Sequence, residues 1–283
     1  MGRFPAASST RLDARNAAGA NKSKNNRWLG DTLSWLVPDA GQSFVYPPAP
    51  ESTLLYVIGD IHGRLDLLEE LWARIAHDVS GEQKNEVLEI YLGDYVDRGP
   101  ASAKVIERLT EIPKERKRIF LRGNHEQVLE SFLKGGANLA EWYQIGGLET
   151  LISYHVDAEL LRHPADGESI RTALTALMPD SHRVFLANLR LHYSVGAYYF
   201  VHAGVRPGVP LDQQREDDCL WIREEFLDYD DDFGRIVVHG HSTVPEPELL
   251  PNRINLDTGA FATGRLSCLK ISREGARMLE PIS

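Results

Sequence analysis

The sequence predicts an α/β sandwich, and two observations carry the prediction. Short apolar, β-branched stretches alternate with helix-spaced apolar residues through the first half of the 283-residue chain. Three polar runs each follow one of those stretches: Gly-Asp-Ile-His-Gly at 59–63, Gly-Asp-Tyr-Val-Asp-Arg-Gly at 93–99 and Gly-Asn-His-Glu at 123–126. Each run is therefore delivered at the carboxyl end of a strand, where open α/β sheets build their sites.

Taken in order, residues 1–50 read as an N-terminal tail. Its first 30 residues carry six basic side chains against one acidic, with few large apolar groups, which predicts disorder. Such a segment lacks the apolar centre of a secretory signal; its Arg- and Ser-rich, acid-poor character is shared with organelle transit peptides. Trp28, Leu29, Leu33, Trp35 and Leu36 fall near helical spacing, so one short helix is expected, docked on the domain rather than held by a partner or a membrane. Pro47, Pro48 and Pro50 end the lead-in, and a catalytic domain over 51–283 is expected, its packed part starting near Leu54. A strand at 53–58 leads into the first run; Leu65, Leu68, Leu71, Trp72 and Ile75 then predict a helix, and a second strand follows at 87–92. A helix around 103–109 and a strand at 118–121 lead to the third run. From 127 to about 190 the pattern turns helical, broken at Lys134-Gly135-Gly136 and Gly146-Gly147, which reads as an insertion beside the site. Strands return at 197–201, 235–238, 253–256 and 265–271, and two of them run into Val201-His202-Ala203-Gly204 and Val238-His239-Gly240-His241.

Composition bounds the function. A formal net charge of −10 argues against a protein built to hold nucleic acid, although a bound cation can reverse the field locally for a phosphate substrate. No apolar run reaches the length of a membrane span, and a cytoplasmic protein is expected. Cys219 and Cys268 have no metal-like spacing and read as reduced, buried thiols. His77, His155, His163, His182 and His192 lie between the motifs and read as ordinary surface or core residues.

The polar runs carry the chemistry. Asp60 and His62, two apart at a strand-to-loop junction, can reach one metal ion, and Asp94 opens the second run at an equivalent strand end. A carboxylate has two oxygens and can bridge two cations; Asn124 adds a neutral oxygen, and His202 and His241 add imidazole nitrogens. Mixed O/N donors of this kind suit Mn, Fe or Zn. Glycines flank every run, as sharp turns beside an ion require.

These runs resemble the signature blocks of the calcineurin-like metallophosphoesterases, and the 93–99 run is similar to that of their phosphoprotein phosphatase branch. The resemblance extends over roughly 54–270 and includes Trp142…Gly146-Gly147-Leu148-Glu149-Thr150-Leu151…Tyr154, which looks like a segment of bacterial serine/threonine phosphatases. It implies two packed mixed β-sheets flanked by helices, and two metal ions, Mn first. Asp60 and His62 would bind one ion, Asp94 would bridge, and Asn124, His202 and His241 would complete the second. His125 would be the general acid, oriented by Asp97, with Arg98 and Arg223 as phosphate clamps and Arg206 or Arg215 as rivals for the second clamp. Thr243 stands where the wider superfamily has a further histidine ligand, a departure that fits the phosphatase branch and leaves His239 a strand residue. Asn255-Leu256-Asp257-Thr258-Gly259 would be a turn supporting the site. The implied reaction is direct attack on phosphorus by a hydroxide between the ions, on phosphoserine and phosphothreonine of a protein substrate. A small phosphate ester is the other substrate class expected; the rival readings are a symmetrical dinucleoside tetraphosphate hydrolase and a non-catalytic scaffold on the same fold. The N-terminal tail would then serve targeting or partner contact.

Overall fold

The computed structural model describes residues 44–80, 86–111, 116–162 and 167–280. The predicted tail helix and His163 lie outside them. Among the described residues the chain runs β1 (Thr53–Ile58), α1 (Leu65–Val79), β2 (Glu86–Tyr91), α2 (Ser102–Glu111), β3 (Lys117–Phe120), then the helices α3 (Asn124–Leu133), α4 (Leu139–Gln144), α5 (Gly147–Ser153), α6 (Ala158–Arg162), α7 (Gly167–Leu177) and α8 (Asp180–Ala187). It continues with β4 (His192–Val195), β5 (Tyr198–Val201), α9 (Glu216–Trp221), α10 (Glu224–Leu227), β6 (Ile236–His239), β7 (Glu248–Leu249), β8 (Arg253–Asn255), α11 (Ala260–Thr263), β9 (Cys268–Ser272) and β10 (Gly275–Met278).

The strands form two five-stranded sheets, ordered β10-β9-β1-β2-β3 and β4-β5-β6-β8-β7. In the first, β1, β2 and β3 are parallel and β9 and β10 antiparallel; in the second, β5, β6 and β8 are parallel, with β4 and β7 antiparallel at the edges. Both sheets are mixed, as the resemblance implied. The period-2 alternation of β1 explains the layering. Leu54, Tyr56 and Ile58 pack with Leu68, Leu71 and Ile75 of α1 and with the insertion. Leu55 and Val57 face the other way, into a core shared with Tyr198, Phe200, Ile236, Val238 and Ile254 of the second sheet. The far side of that sheet, Tyr199, Val201 and Val237, is covered by Ile222 and Phe226.

The packed region begins before the expected residue 51. Tyr46 and Ala49 are buried in the intersheet core, the Ala49 amide donates to the Ser272 carbonyl, and Tyr198 Oη donates to the Pro47 carbonyl at 2.6 Å. The prolines keep this segment extended and out of helix, so it lies along the sheets. Three further differences concern strands. β4, β7 and β10 are edge strands that escape sequence reading, β7 because it has two residues and β4 and β10 because their burial shows no clean apolar face. His192 therefore sits on β4. No helix among the described residues is long and apolar enough to cross a membrane, and both cysteines are buried and free.

Candidate active site

Five parallel strands end at one place. β1 delivers Asp60 and His62, β2 delivers Asp94, β3 leads to Asn124 and His125, β5 to His202, and β6 to His241. All seven side chains are buried. Seven non-glycine residues among the described ones have φ in the left-handed region, and five of them are His62, Asp94, Asp97, Arg98 and His241. Each such conformation costs about 1–3 kcal/mol, so the strain is concentrated where function needs it. The flanking glycines admit close approach: a Cβ on Gly240 would stand 1.9 Å from Asp60 Oδ1, and one on Gly123 2.1 Å from Asp94 Oδ1.

Asp94 is the centre. Its Oδ2 lies 3.4 Å from His62 Nε2 and 3.7 Å from His125 Nε2, while its Oδ1 lies 3.3 Å from His202 Nε2. The two oxygens thus face two separate donor groups, which match the two candidate metal clusters, His62-Asp94-His125 and Asp94-His202-His241. Asn124 Oδ1 stands 2.9 Å from both His202 Nε2 and His241 Nδ1. Asp60 Oδ2 accepts from the His241 amide at 2.9 Å, and its Oδ1, like His62 Nε2, is buried with no hydrogen-bond partner among the described residues.

The donor chemistry fits cations. His62 Nδ1 lies 2.8 Å from the Val96 carbonyl and His202 Nδ1 3.0 Å from the Leu92 carbonyl. Those carbonyls can only accept, so each Nδ1 carries the proton and, on a neutral ring, each Nε2 presents a lone pair. Burial holds both imidazoles below their ordinary range, His202 at about 3. Their lone pairs then face the oxygens of Asp94 and Asn124, an arrangement a cation between them satisfies. Burial and then Asp257 raise Asp60, and burial and then Asp60 raise Asp94, and the opposing pull of Arg98 and of backbone amides does not offset this, so a cation at the cluster would favour both charged carboxylates.

His125 differs from its neighbours. Its Nδ1 lies 2.7 Å from Asp97 Oδ2, which leaves Nε2 facing the cluster. Asp97 in turn accepts from Thr150 Oγ1 at 2.6 Å and from Trp142 Nε1 at 3.0 and 3.1 Å. Burial pushes Asp97 up to about 7, with the Thr150 and Trp142 hydrogen bonds pulling the other way. Arg98 is pinned by its amide to the Gly146 carbonyl, and its guanidinium lies 4.9 Å over the Phe261 ring. Arg223 donates to Ser242 Oγ at 3.3 Å and the His241 carbonyl at 3.5 Å. Arg206 is held by both oxygens of Asp218, and Arg215 pairs with Asp217. Of the three arginines, Arg223 is therefore the one tied to the site. His239 ends β6, its ring edge-on to Phe226 and outside both clusters.

Two supports were not read from the sequence. Glu126 is fully buried, and its carboxylate accepts from the amides of Asp94, Tyr95, Val96 and Gly123, fixing the loop that bears Asp94. Its signal was a Glu at the third position of α3, a capping-box place. Trp142 and Thr150 hold Asp97 from the insertion, a long-range contact with no local signal. The 255–259 turn does support the site: Asn255 Nδ2 donates to the Ser242 carbonyl and Thr243 Oγ1 donates to Asp257 Oδ2.

A two-sheet sandwich with such a cluster across its strand ends defines a metal-dependent phosphoric ester hydrolase of the metallophosphoesterase class. Residues 53–263 match the calcineurin-like phosphoesterase family, and the chain belongs to it. That family works with two divalent metal ions. The chain is 28% identical over 228 residues to the asymmetrical bis(5'-nucleosyl)-tetraphosphatase PrpE of Anoxybacillus flavithermus, covering 76% of this chain and 89% of the relative. It is 24% identical over 231 residues to the enzyme of that name from Oceanobacillus iheyensis, covering 76% and 87%. Among solved structures it resembles a candidate diadenosine tetraphosphatase, with a TM-score of 0.54, 19% identity and coverage of 83% of this chain and 97% of that one.

Proposed function

We propose that the protein hydrolyses dinucleoside tetraphosphates. The observation that carries this substrate is the pair of relatives aligned over nearly their whole length, both named as tetraphosphatases. They favour the rival reading over the serine/threonine phosphatase expected from the sequence motifs. Both are named asymmetrical, so off-centre cleavage to a nucleoside mono- and triphosphate takes the place of the symmetrical cleavage that the rival reading carried.

Asp60, His62 and Asp94 would hold one ion, and Asp94, Asn124, His202 and His241 the other, Mn being the first choice for this donor set. When bound, the ions supply Lewis acidity and an acidified water. Arg98 and Arg223 take the oxygens of the scissile phosphoryl group in forked contacts. His125 gives its Nε2 proton to the leaving oxygen, and Asp97, bonded to Nδ1, keeps the ring aimed and stabilises its protonated form.

Diadenosine tetraphosphate is incubated with the Mn-loaded protein and the products separated by chromatography. AMP and ATP in equal amounts are expected. Two ADP would assign symmetrical cleavage; turnover of phosphoserine peptides with none of the dinucleotide would overturn the proposal.

A further inference from the structure

Eight large hydrophobic residues are exposed among the described ones, and only Trp221 and Phe261 are aromatic. Both touch the metal-site histidines. The Trp221 ring lies 6.2 Å from that of His241, and the Phe261 ring 5.5 Å from that of His62. Beyond this they differ. Phe261 carries the Arg98 guanidinium on its ring, so it is already occupied in positioning that arginine. Trp221 is 41% exposed, and its indole Nε1 donates to Gln127 Oε1 at 2.7 Å, which holds the ring in place from α3.

Trp221 and its neighbour Arg223 line a cleft of about 350 Å³, whose remaining polar lining is Asp217, Asp218, Glu224, Glu225 and Arg206, the last paired with Asp218 and Glu225. That volume lies within the range of small-ligand sites. Four carboxylates against Arg206 and Arg223 leave the cleft net negative, with Asp217 and Glu224 outside the Arg206 pairs, so it disfavours phosphate beyond the group held by Arg223. It suits a group that offers N–H donors and a flat π-face, and adenine has both, the donors on its exocyclic amine and the face on its purine ring.

We propose that Trp221 and this cleft form a nucleobase subsite, in which a purine bearing an exocyclic amine stacks on the indole while its phosphate reaches Arg223 and the metal cluster. The inference rests on the nucleotide reading above and adds a reason for off-centre cleavage: among the described residues one flank of the site presents the Trp221 indole with no cation on it, whereas the other presents Phe261 with Arg98 on its ring, so the two ends of a symmetrical dinucleotide are held differently.

The test uses the full Mn-loaded chain turning over p-nitrophenyl phosphate, inhibited in parallel by ATP and by inorganic tripolyphosphate. The two inhibitors share a triphosphate, so the ratio of their inhibition constants reads the nucleoside. Base stacking on an aromatic ring predicts an advantage of about 5- to 150-fold for ATP in the wild type. W221L keeps an apolar contact to His241 without a π-face and should bring the ratio to within about twofold of unity, whereas W221F should retain most of it. Equal inhibition in the wild type, or a ratio that W221L leaves unchanged, would overturn the subsite. If diadenosine tetraphosphate is not cleaved but the Trp221-dependent advantage of ATP persists, the proposed substrate fails and the base platform stands. If the dinucleotide is cleaved and the ratio ignores Trp221, the substrate stands and the platform fails.

Discussion

A neutral imidazole donates from one nitrogen only, and His62 and His202 both direct that proton to a main-chain carbonyl. What remains at each ring is a lone pair aimed at carboxylate or amide oxygen, unfavourable until a cation stands between. The same reasoning sets His125 apart in geometry, because its Nδ1 meets a carboxylate rather than a carbonyl, while burial and then Arg98 hold the ring well below its ordinary range, so its proton is weakly held and readily given up. If His125 protonates the leaving oxygen, its loss should depend on the leaving group. His125→Asn should lower the rate on phenyl phosphate, whose phenol has a pKa of about 10, by about 10²–10⁴-fold. It should lower the rate on p-nitrophenyl phosphate distinctly less, since that leaving group departs as a weaker base. Equal losses with both metals retained and chemistry limiting would count against the acid. At the bridging position, Asp94→Asn should nearly abolish turnover and reduce metal content, measured by elemental analysis, because an amide has no charge to share between two ions. A fully active variant with its metals intact would remove the bridging role.

The elements divide sharply in how far the sequence disclosed them. β1, β2 and α1 were legible because each couples an apolar period to a motif that stops it. The helical insertion was legible as helix, with its breaks at Gly135-Gly136 and at Gly146, which caps α5, but not as part of the site. Its contribution runs through Trp142 and Thr150, 45 and 53 residues away from the Asp97 they hold, and no local pattern records a contact of that range. Thr150 Oγ1 both donates to Asp97 Oδ1 and accepts from the Asp97 amide. Thr150→Val keeps the shape and removes both. The lost donor was one of the groups lowering the Asp97 pKa from where burial alone would put it, so the pKa should rise above about 7. Asp97 orients His125 as a carboxylate, and the acidic limb of the pH–rate profile should therefore move to higher pH, with a fall of about tenfold at neutral pH. A lowered rate with an unmoved limb would assign Thr150 to packing alone.

For the whole molecule, the ligand types were legible in five strand-end runs, while their convergence depended on how two sheets pack, which Tyr198, Phe200, Leu55 and Val57 decide by filling one shared core. That packing draws Asp60 and Asp94 from the first sheet toward His202 and His241 from the second and buries them all. Metal removal should therefore be felt in global stability, with a defined pH dependence. In the metal-free protein, burial raises Asp60 and Asp94 well above the carboxylate range and pushes Glu126 up to about 7 against the pull of its backbone donors. Below about pH 6.5 the buried histidines held low, among them His62, His202 and His241, take up protons only on unfolding and oppose this effect; above about pH 7 they are neutral in both states, and the raised carboxylates leave the folded state with more protons than the unfolded one. Its stability then falls as pH rises across that upper range. Ions bound to Asp60 and Asp94 favour the charged carboxylates and remove the penalty. The melting temperature of chelator-treated protein should therefore decline from about pH 7 to about pH 9, and its gap below the Mn-saturated protein should widen over the same range. A gap that narrowed with rising pH would mean that the buried carboxylates ionise without the ions, and that the cluster is neutralised by the protein itself.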